Sequence, residues 1–231
     1  MGRVLTKEEV GFYHDNGYLV VNDLFSPEET DRMLEICNRV GIERKFQAAL
    51  NPDREIPELR GVMKDPRVVS ALEALQGAEV VGLMSQIFFK QRGTPFQNRA
   101  WNPHQDNAYP QAKDGAYITI NIFLHDTDPE NGGMYFYAGS HREPVLPFEP
   151  VPSYEVGTNP GNTVKVPEKY PKVDVSVPRG GMVFLHGNCI HGSYPNRSQS
   201  RDRTLFSCCY ITQGEKFLAG NTAKRMEISL K

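Results

Sequence analysis

Apolar residues follow two periods along this chain, and the change falls near residue 79. Before it the spacing is helical. Thr6 and Glu9 fit a capping box that opens a first helix, with Val10 and Tyr13 on one stripe and Gly17 as its stop. Tyr18-Leu19-Val20-Val21 reads as a short strand. Ser26-Pro27-Glu28-Glu29 starts a second helix with an N-cap, a first-turn proline and two acids at the positive end of the dipole. Met33, Leu34, Ile36 and Cys37 supply its apolar face, and residues 66–76 form a third helical segment.

Beyond residue 79 the period becomes two. Over 80–90, Val81, Leu83, Ser85, Ile87 and Phe89 point one way, and Gly82, Met84, Gln86, Phe88 and Lys90 the other. Over 116–124, Ala116, Ile118, Ile120, Ile122 and Leu124 make an aliphatic face opposite Tyr117, Thr119, Asn121 and Phe123. A strand of this kind suits a barrel wall, packed on its outer side and lining a cavity on its inner one. Further strands are expected at 182–187 and 204–212, and residues 126–133 are a strong turn signal. Residues 143–172 are rich in proline and lack periodicity, as in a lid or a disordered loop. The expected fold is mainly β with N-terminal helices, a double-stranded β-helix of jelly-roll or cupin-like type in a single domain. Residues 1–78 make the helical part, 79–215 the barrel core with a lid-like loop at 143–172, and 216–231 a C-terminal tail.

Composition narrows the class. A length of 231 residues, 39% hydrophobic and 23% charged, is ordinary for a soluble domain with a sizeable core. A net charge of −2, with both signs scattered, argues against a nucleic-acid surface. No apolar run approaches the roughly 20 residues of a membrane span, and Met1 to Val10 lacks the apolar stretch of a signal peptide. Cys37, Cys189, Cys208 and Cys209 have no CxxC spacing and are expected as reduced thiols in a cytoplasmic protein, with Cys208 and Cys209 on opposite faces of their strand.

One constellation points at chemistry. His104-Gln105-Asp106 puts an imidazole and a carboxylate two residues apart, on one side of an extended chain. A second imidazole must come from another strand, and the sequence offers His125, His141, His186 and His191. Two imidazoles and one carboxylate leave coordination positions open, which suits non-haem Fe(II) chemistry better than a closed zinc site. His125 sits beside an acidic turn, His141 in a Gly-Ser-His-Arg turn and His14 on the first helix, so the main competitors are His186 and His191.

The sequence resembles the phytanoyl-CoA dioxygenase family, which includes ectoine hydroxylase. The resemblance runs from Leu5-Thr6 through Phe12-Tyr13 and Gly17-Tyr18-Leu19-Val20-Val21 to His104-Gln105-Asp106-Asn107. It continues with Pro129-Glu130-Asn131-Gly132-Gly133, Gly139-Ser140-His141-Arg142, His191-Gly192-Ser193, Asn196, Ser198 and Arg203. It implies that Fe(II) is held by His104, Asp106 and His191 rather than His186. It also implies that 2-oxoglutarate is clamped by Arg203, which stands one residue further from the histidine than is usual, with Arg201 as the alternative. Ser193 and Lys90 are implied as co-substrate contacts. Gln86, Thr119 and Asn121 share the inward parity and are candidates beside them. The implied reaction uses dioxygen to convert 2-oxoglutarate to succinate and carbon dioxide while a substrate C–H bond is oxidised. The presence of Asp106 points away from halogenation. Trp101, Asn107, Tyr109 and Arg99 flank the motif and are expected around a small polar or ring-shaped substrate. No basic cluster announces a CoA phosphate, which favours a small metabolite, such as one of secondary metabolism. Two other readings remain, a cupin-type enzyme using metal without 2-oxoglutarate and a barrel that binds a ligand without turnover.

Overall fold

The strand over Tyr117–Phe123 is buried at every position, so both of its faces must be covered. The two faces have different covers. Ile118, Ile120 and Ile122 join a core cluster with Tyr13, Met33, Cys37, Leu59 and Leu72 from the helices. Tyr117, Thr119 and Asn121 line an internal cavity. The computed structural model describes residues 4–22, 24–44, 48–151 and 161–231. In chain order its elements are α1 (Lys7–Asn16), β1 (Tyr18–Val21), α2 (Pro27–Arg44), β2 (Ala48–Leu50), α3 (Pro57–Met63) and α4 (Pro66–Gln76). Then come β3 (Val80–Phe89), β4 (Trp101–His104), β5 (Tyr117–Phe123), β6 (Met134–Tyr137), β7 (Phe148–Val151) and β8 (Gly161–Val164). The last are β9 (Lys172–Asp174), β10 (Met182–His186), β11 (His191–Ser193) and β12 (Thr204–Thr212).

A six-stranded sheet in the order β1-β10-β5-β12-β3-β2 faces a four-stranded sheet in the order β4-β11-β6-β9. Non-consecutive neighbours in two facing antiparallel sheets are the mark of a jelly roll. The helices cover the outer face of the larger sheet, and the cavity lies between the sheets. Among the described residues no helix is long and apolar enough to cross a membrane.

Local signals act as their chemistry requires. Thr6 Oγ1 accepts from the Glu9 amide (3.2 Å), and Glu9 Oε2 accepts from the Thr6 amide (2.9 Å), closing the box at the start of α1. Gly17 ends that helix at φ 82°, where an added Cβ would lie 2.5 Å from the His141 ring. All four cysteines are free and buried; Cys208 packs in the helix-side core while Cys209 lines the cavity.

Four expectations need correction. First, alternation does not run unbroken through β3. The register with β12 shifts between Cys209, opposite Met84, and Tyr210, opposite Gly82. The bulge leaves Leu83 unpaired and turns Gly82 outward, toward Met63 and Ile228. Second, the N-terminal part is not purely helical, because β2 adds an edge strand beside β3 and α3 precedes α4. Third, 143–172 carries regular structure. β7 pairs with β8 in a ribbon where Pro150 needs no ladder donor, and β9 pairs with β6. Residues 152–160 lie outside the described residues. Fourth, 216–231 is no loose tail: Leu218 N–H bonds the Pro110 carbonyl (2.6 Å), and Ile228 exchanges amide hydrogen bonds with Gly82.

Phe206 is fully buried in β12, opposite Ile122 of β5 and Ile87 of β3. Phe206→Ala should lower unfolding stability by about 3–5 kcal/mol through the cavity it leaves. A urea transition at unchanged slope and lower midpoint is the expected result.

Candidate active site

His104 and His191 meet because β4 and β11 pair antiparallel with these two residues in register. Their ring centroids are 4.3 Å apart. β4 is an edge strand, so Pro103 within it costs no ladder bond. After His104 the chain tightens into a 3-10 turn over Asp106–Ala108, which brings the Asp106 carboxylate back over the two rings. Asp106 Oδ1 lies 3.5 Å from His104 Nε2 and 3.7 Å from His191 Nε2. Ligand atoms of all three residues fall within 4.8 Å of one another.

The groups behind this triad fix its orientation. His104 Nδ1 is 2.8 Å from the Asn102 carbonyl and His191 Nδ1 is 3.0 Å from the Cys189 carbonyl. Each Nδ1 carries the proton in such a contact, which leaves each Nε2 lone pair aimed at the common centre. Thr119 Oγ1 donates to Asp106 Oδ2 (2.7 Å), so one carboxylate oxygen is held by the wall and the other faces the rings. Burial pushes the Asp106 carboxyl pKa up, but the His191 and His104 imidazoles and the Thr119 bond outweigh it and hold it well below the usual carboxylate range. Burial, and after it His104, lowers the His191 pKa to about 4. His191 therefore stands as a neutral imidazole and Asp106 as a carboxylate near neutral pH, the forms that bind a metal.

The triad opens into a cavity of about 580 Å³ between the sheets. Arg203 is 2% exposed and lines it. Its Nε donates to the Gly132 carbonyl (3.2 Å), while its Nη1 is buried without a partner. Burial lowers its pKa to about 9. Lys90 is 1% exposed and donates to Ser193 Oγ (2.7 Å) and to the Tyr194 carbonyl. Its pKa is driven well down by burial and by the charge of Arg203. An unpaired guanidinium nitrogen in a dry wall is costly unless a ligand anion meets it. The donor set thus fits iron, and the buried cation fits the free carboxylate of 2-oxoglutarate.

The remaining candidates divide. Gln86, Thr119, Asn121, Ser193, Trp101 and Tyr109 line the cavity. Lys90 stands behind Ser193. Asn107 does not face the cavity: it is buried with its side chain bonded to Ala112 and Asn188, because the 3-10 turn that brings Asp106 inward carries the next residue outward. Arg99 is not among the lining residues either, and its guanidinium lies 5.8 Å from the Phe96 ring centroid. His186 lies away from the triad, beside Tyr13 and His141. Arg201 pairs with Asp128 and Glu130, each at 2.7 Å. Leu205 and Ser207 line the wall by the inward parity of β12, a signal present in the alternation of that strand. Thr222, Ala223 and Arg225 also line it, from a segment with no periodicity to announce them.

A family model for phytanoyl-CoA dioxygenase (PhyH) matches residues 13–204. The chain belongs to this family. As a PhyH member it is a 2-oxoglutarate-dependent dioxygenase with iron and 2-oxoglutarate as cofactors. It is 25% identical to peroxisomal phytanoyl-CoA dioxygenase of Rattus norvegicus, over 94% of this chain and 71% of that protein. It is 27% identical to a probable alpha-ketoglutarate-dependent hypophosphite dioxygenase of Stutzerimonas stutzeri, over 84% of this chain and 74% of that protein. Among solved structures, the non-haem alpha-ketoglutarate-dependent carbocyclase SnoK from nogalamycin biosynthesis superposes with a TM-score of 0.78 at 22% identity. That match covers 96% of this chain and 90% of SnoK, and it speaks for the shared fold.

Thr119→Val keeps the shape of the wall and deletes the bond to Asp106. Metal affinity should fall about 10–100-fold, the usual effect of losing a group that orients a ligand. Titration with Co(II) followed by visible absorption reads it, and an unchanged affinity would leave Thr119 as wall only.

Proposed function

We propose that this protein oxidises a C–H bond of a small metabolite by hydroxylation, desaturation or oxidative cyclisation. In this reading His104, Asp106 and His191 hold the iron, and Arg203 and Ser193 receive the distal carboxylate of 2-oxoglutarate. The observation that carries it is the buried, unpaired Nη1 of Arg203 in the wall of the cavity that the triad opens into. Arginine suits the task because its planar fork can pair both oxygens of a carboxylate. Lys90 aligns the Ser193 hydroxyl from behind. When bound, iron with 2-oxoglutarate and dioxygen supplies an oxidant strong enough for an unactivated C–H bond, with succinate and carbon dioxide released.

The chain's own groups decide the rest. Thr119 keeps Asp106 facing the metal position. Retention of that carboxylate favours oxidation of the substrate over transfer of a halide. Trp101 and Tyr109 offer flat apolar surfaces at which a ring could stack, and the Tyr109 hydroxyl already accepts from the Asn162 amide (3.0 Å). That bond ties β8 over the mouth. Gly161 sits so close that a Cβ would meet Tyr109 Oη at 3.0 Å and Trp101 at 3.2 Å, and Thr163 Oγ1 donates to the Pro103 carbonyl (3.2 Å). The β7–β8 ribbon accordingly serves as a lid that shields the reacting carbon from water. A metal-only enzyme would have no use for Arg203 in this place.

Arg203→Met tests the assignment by separating stability from binding. Replacing a buried cation that lacks a counter-charge by an apolar chain should leave the ligand-free protein as stable or more so. The wild type should gain about 2.7 kcal/mol when 2-oxoglutarate is present at 100 times its dissociation constant. The variant should gain nothing, and the weak visible band of the anaerobic Fe(II)–2-oxoglutarate protein should be missing. Arg201→Ala should retain both responses, and loss of either there would move the clamp to Arg201.

A further inference from the structure

Two guanidinium groups line the cavity, those of Arg203 and Arg225, against a single acid, Asp106. 2-Oxoglutarate brings two carboxylates, one for the metal and one for Arg203. Arg225 is then left without an anion. No carboxylate pairs with it among the described residues. Its Nε is buried and unpartnered, and its Nη1 has only long contacts to the Leu218 (3.5 Å) and Ala219 (3.4 Å) carbonyls.

The chain takes trouble to place this residue. Asn51 Nδ2 donates to the Ala223 carbonyl (2.9 Å), and Arg54 donates to the carbonyl of Lys224. The Lys224 amide closes back on the Gly220 carbonyl and the Arg225 amide on that of Ala219, both at 2.9 Å. Met226 then bonds the Leu83 carbonyl at the bulge of β3 (3.2 Å). Among the described residues three non-glycine positions have positive φ: Asn51 (54°), Gln111 (50°) and Lys224 (47°). All three stand at this joint. Asn51 holds Ala223, Lys224 precedes Arg225, and Gln111 follows Pro110, whose carbonyl holds Leu218. Strained backbone concentrated at one place is a mark of function. The segment follows β12, outside the residues 13–204 that the family model matches.

We propose that Arg225 anchors a carboxylate carried by the substrate, whose carbon body lies along Trp101 and Tyr109. This rests on the iron and 2-oxoglutarate reading given above, in which Arg203 is already committed. A carboxylate is the fitting anion because one spare monocation balances one monoanion, and the guanidinium fork matches its geometry. A phosphate dianion would need a second free cation, and the lining offers none.

Trp101 is the chain's single tryptophan and lines the cavity, so its fluorescence reports occupancy without turnover. The test titrates the anaerobic Fe(II)–2-oxoglutarate protein with a set of small ring carboxylic acids, phenylacetate among them, each against its primary amide. The wild type should prefer at least one acid over its amide on the order of tenfold, as one charge-assisted hydrogen bond would give. Arg225→Gln should abolish the preference while the amide and 2-oxoglutarate bind as before. Arg225→Lys should restore part of it. Amides bound as tightly as their acids, no acid bound at all, or a preference that survives in Arg225→Gln would each overturn the proposal. So would weakened 2-oxoglutarate binding in Arg225→Gln, which would make Arg225 a co-substrate clamp. Failure of the iron and 2-oxoglutarate reading would appear separately, as absence of the visible band in the wild type.

Discussion

Arg203 and Lys90 stand together inside the barrel, joined through the Lys90 amide and the Arg203 carbonyl (2.7 Å), and among the described residues no carboxylate pairs with either side chain. Enclosing two basic groups side by side opposes the charged form of both, and burial together with the charge of Arg203 drives the Lys90 pKa well down. A fold carries that cost when the charge has a use that arrives from outside. The rest of the interior is arranged around this pair. Ser193 accepts a hydrogen bond from Lys90, the Gly132 carbonyl accepts from Arg203 Nε, and Arg203 Nη1 is left for a ligand. The metal triad lies in the same cavity, so a dicarboxylate with a chelating end and a free end meets complementary groups at both.

The same geometry explains why glycine separates His191 from Ser193. A Cβ at Gly192 would lie 2.6 Å from the Trp101 carbonyl, with the Tyr135 ring closer still. β11 lies between β4 and β6, and its middle residue must be small for the three strands to close. Closure sets His191 opposite His104 in register, so the metal geometry depends on a tight strand contact as much as on the ligands.

Much of this was legible because strands have a strict period. The inward parity of Thr119 and Asn121 followed from the aliphatic run Ile118, Ile120 and Ile122 on the other face, and the core and cavity divide along that line. Thr6, Glu9 and Gly17 declared the first helix through local hydrogen bonding alone. What was illegible lacked a period. The bulge opposite Cys209 inserts one residue with no composition signal. Proximity in sequence to the metal motif misplaces Asn107, because a 3-10 turn reverses direction within a residue or two, and it misplaces Arg99, which stands at the end of the turn before β4.

Substrate recognition has the least periodic part of the chain. The metal and co-substrate groups stand on paired strands or at their ends, where register fixes them. In the proposed reading the groups left for the substrate are Trp101 and Tyr109, with the short β2, β8 over the mouth and the C-terminal segment beside them. Beside the short ladders of β2 with β3 and of β8 with β7, these pieces are tied down by side-chain bonds such as Asn51 to Ala223 and the Asn162 amide to Tyr109. None of these pieces carries a member of the His104–Asp106–His191 cluster or Arg203, whereas β11 carries His191 and Ser193. A fold built in this way can keep one oxidising centre and vary what is brought to it. That argument ties the carboxylate reading of Arg225 to its place on the C-terminal segment rather than on a strand of the barrel wall.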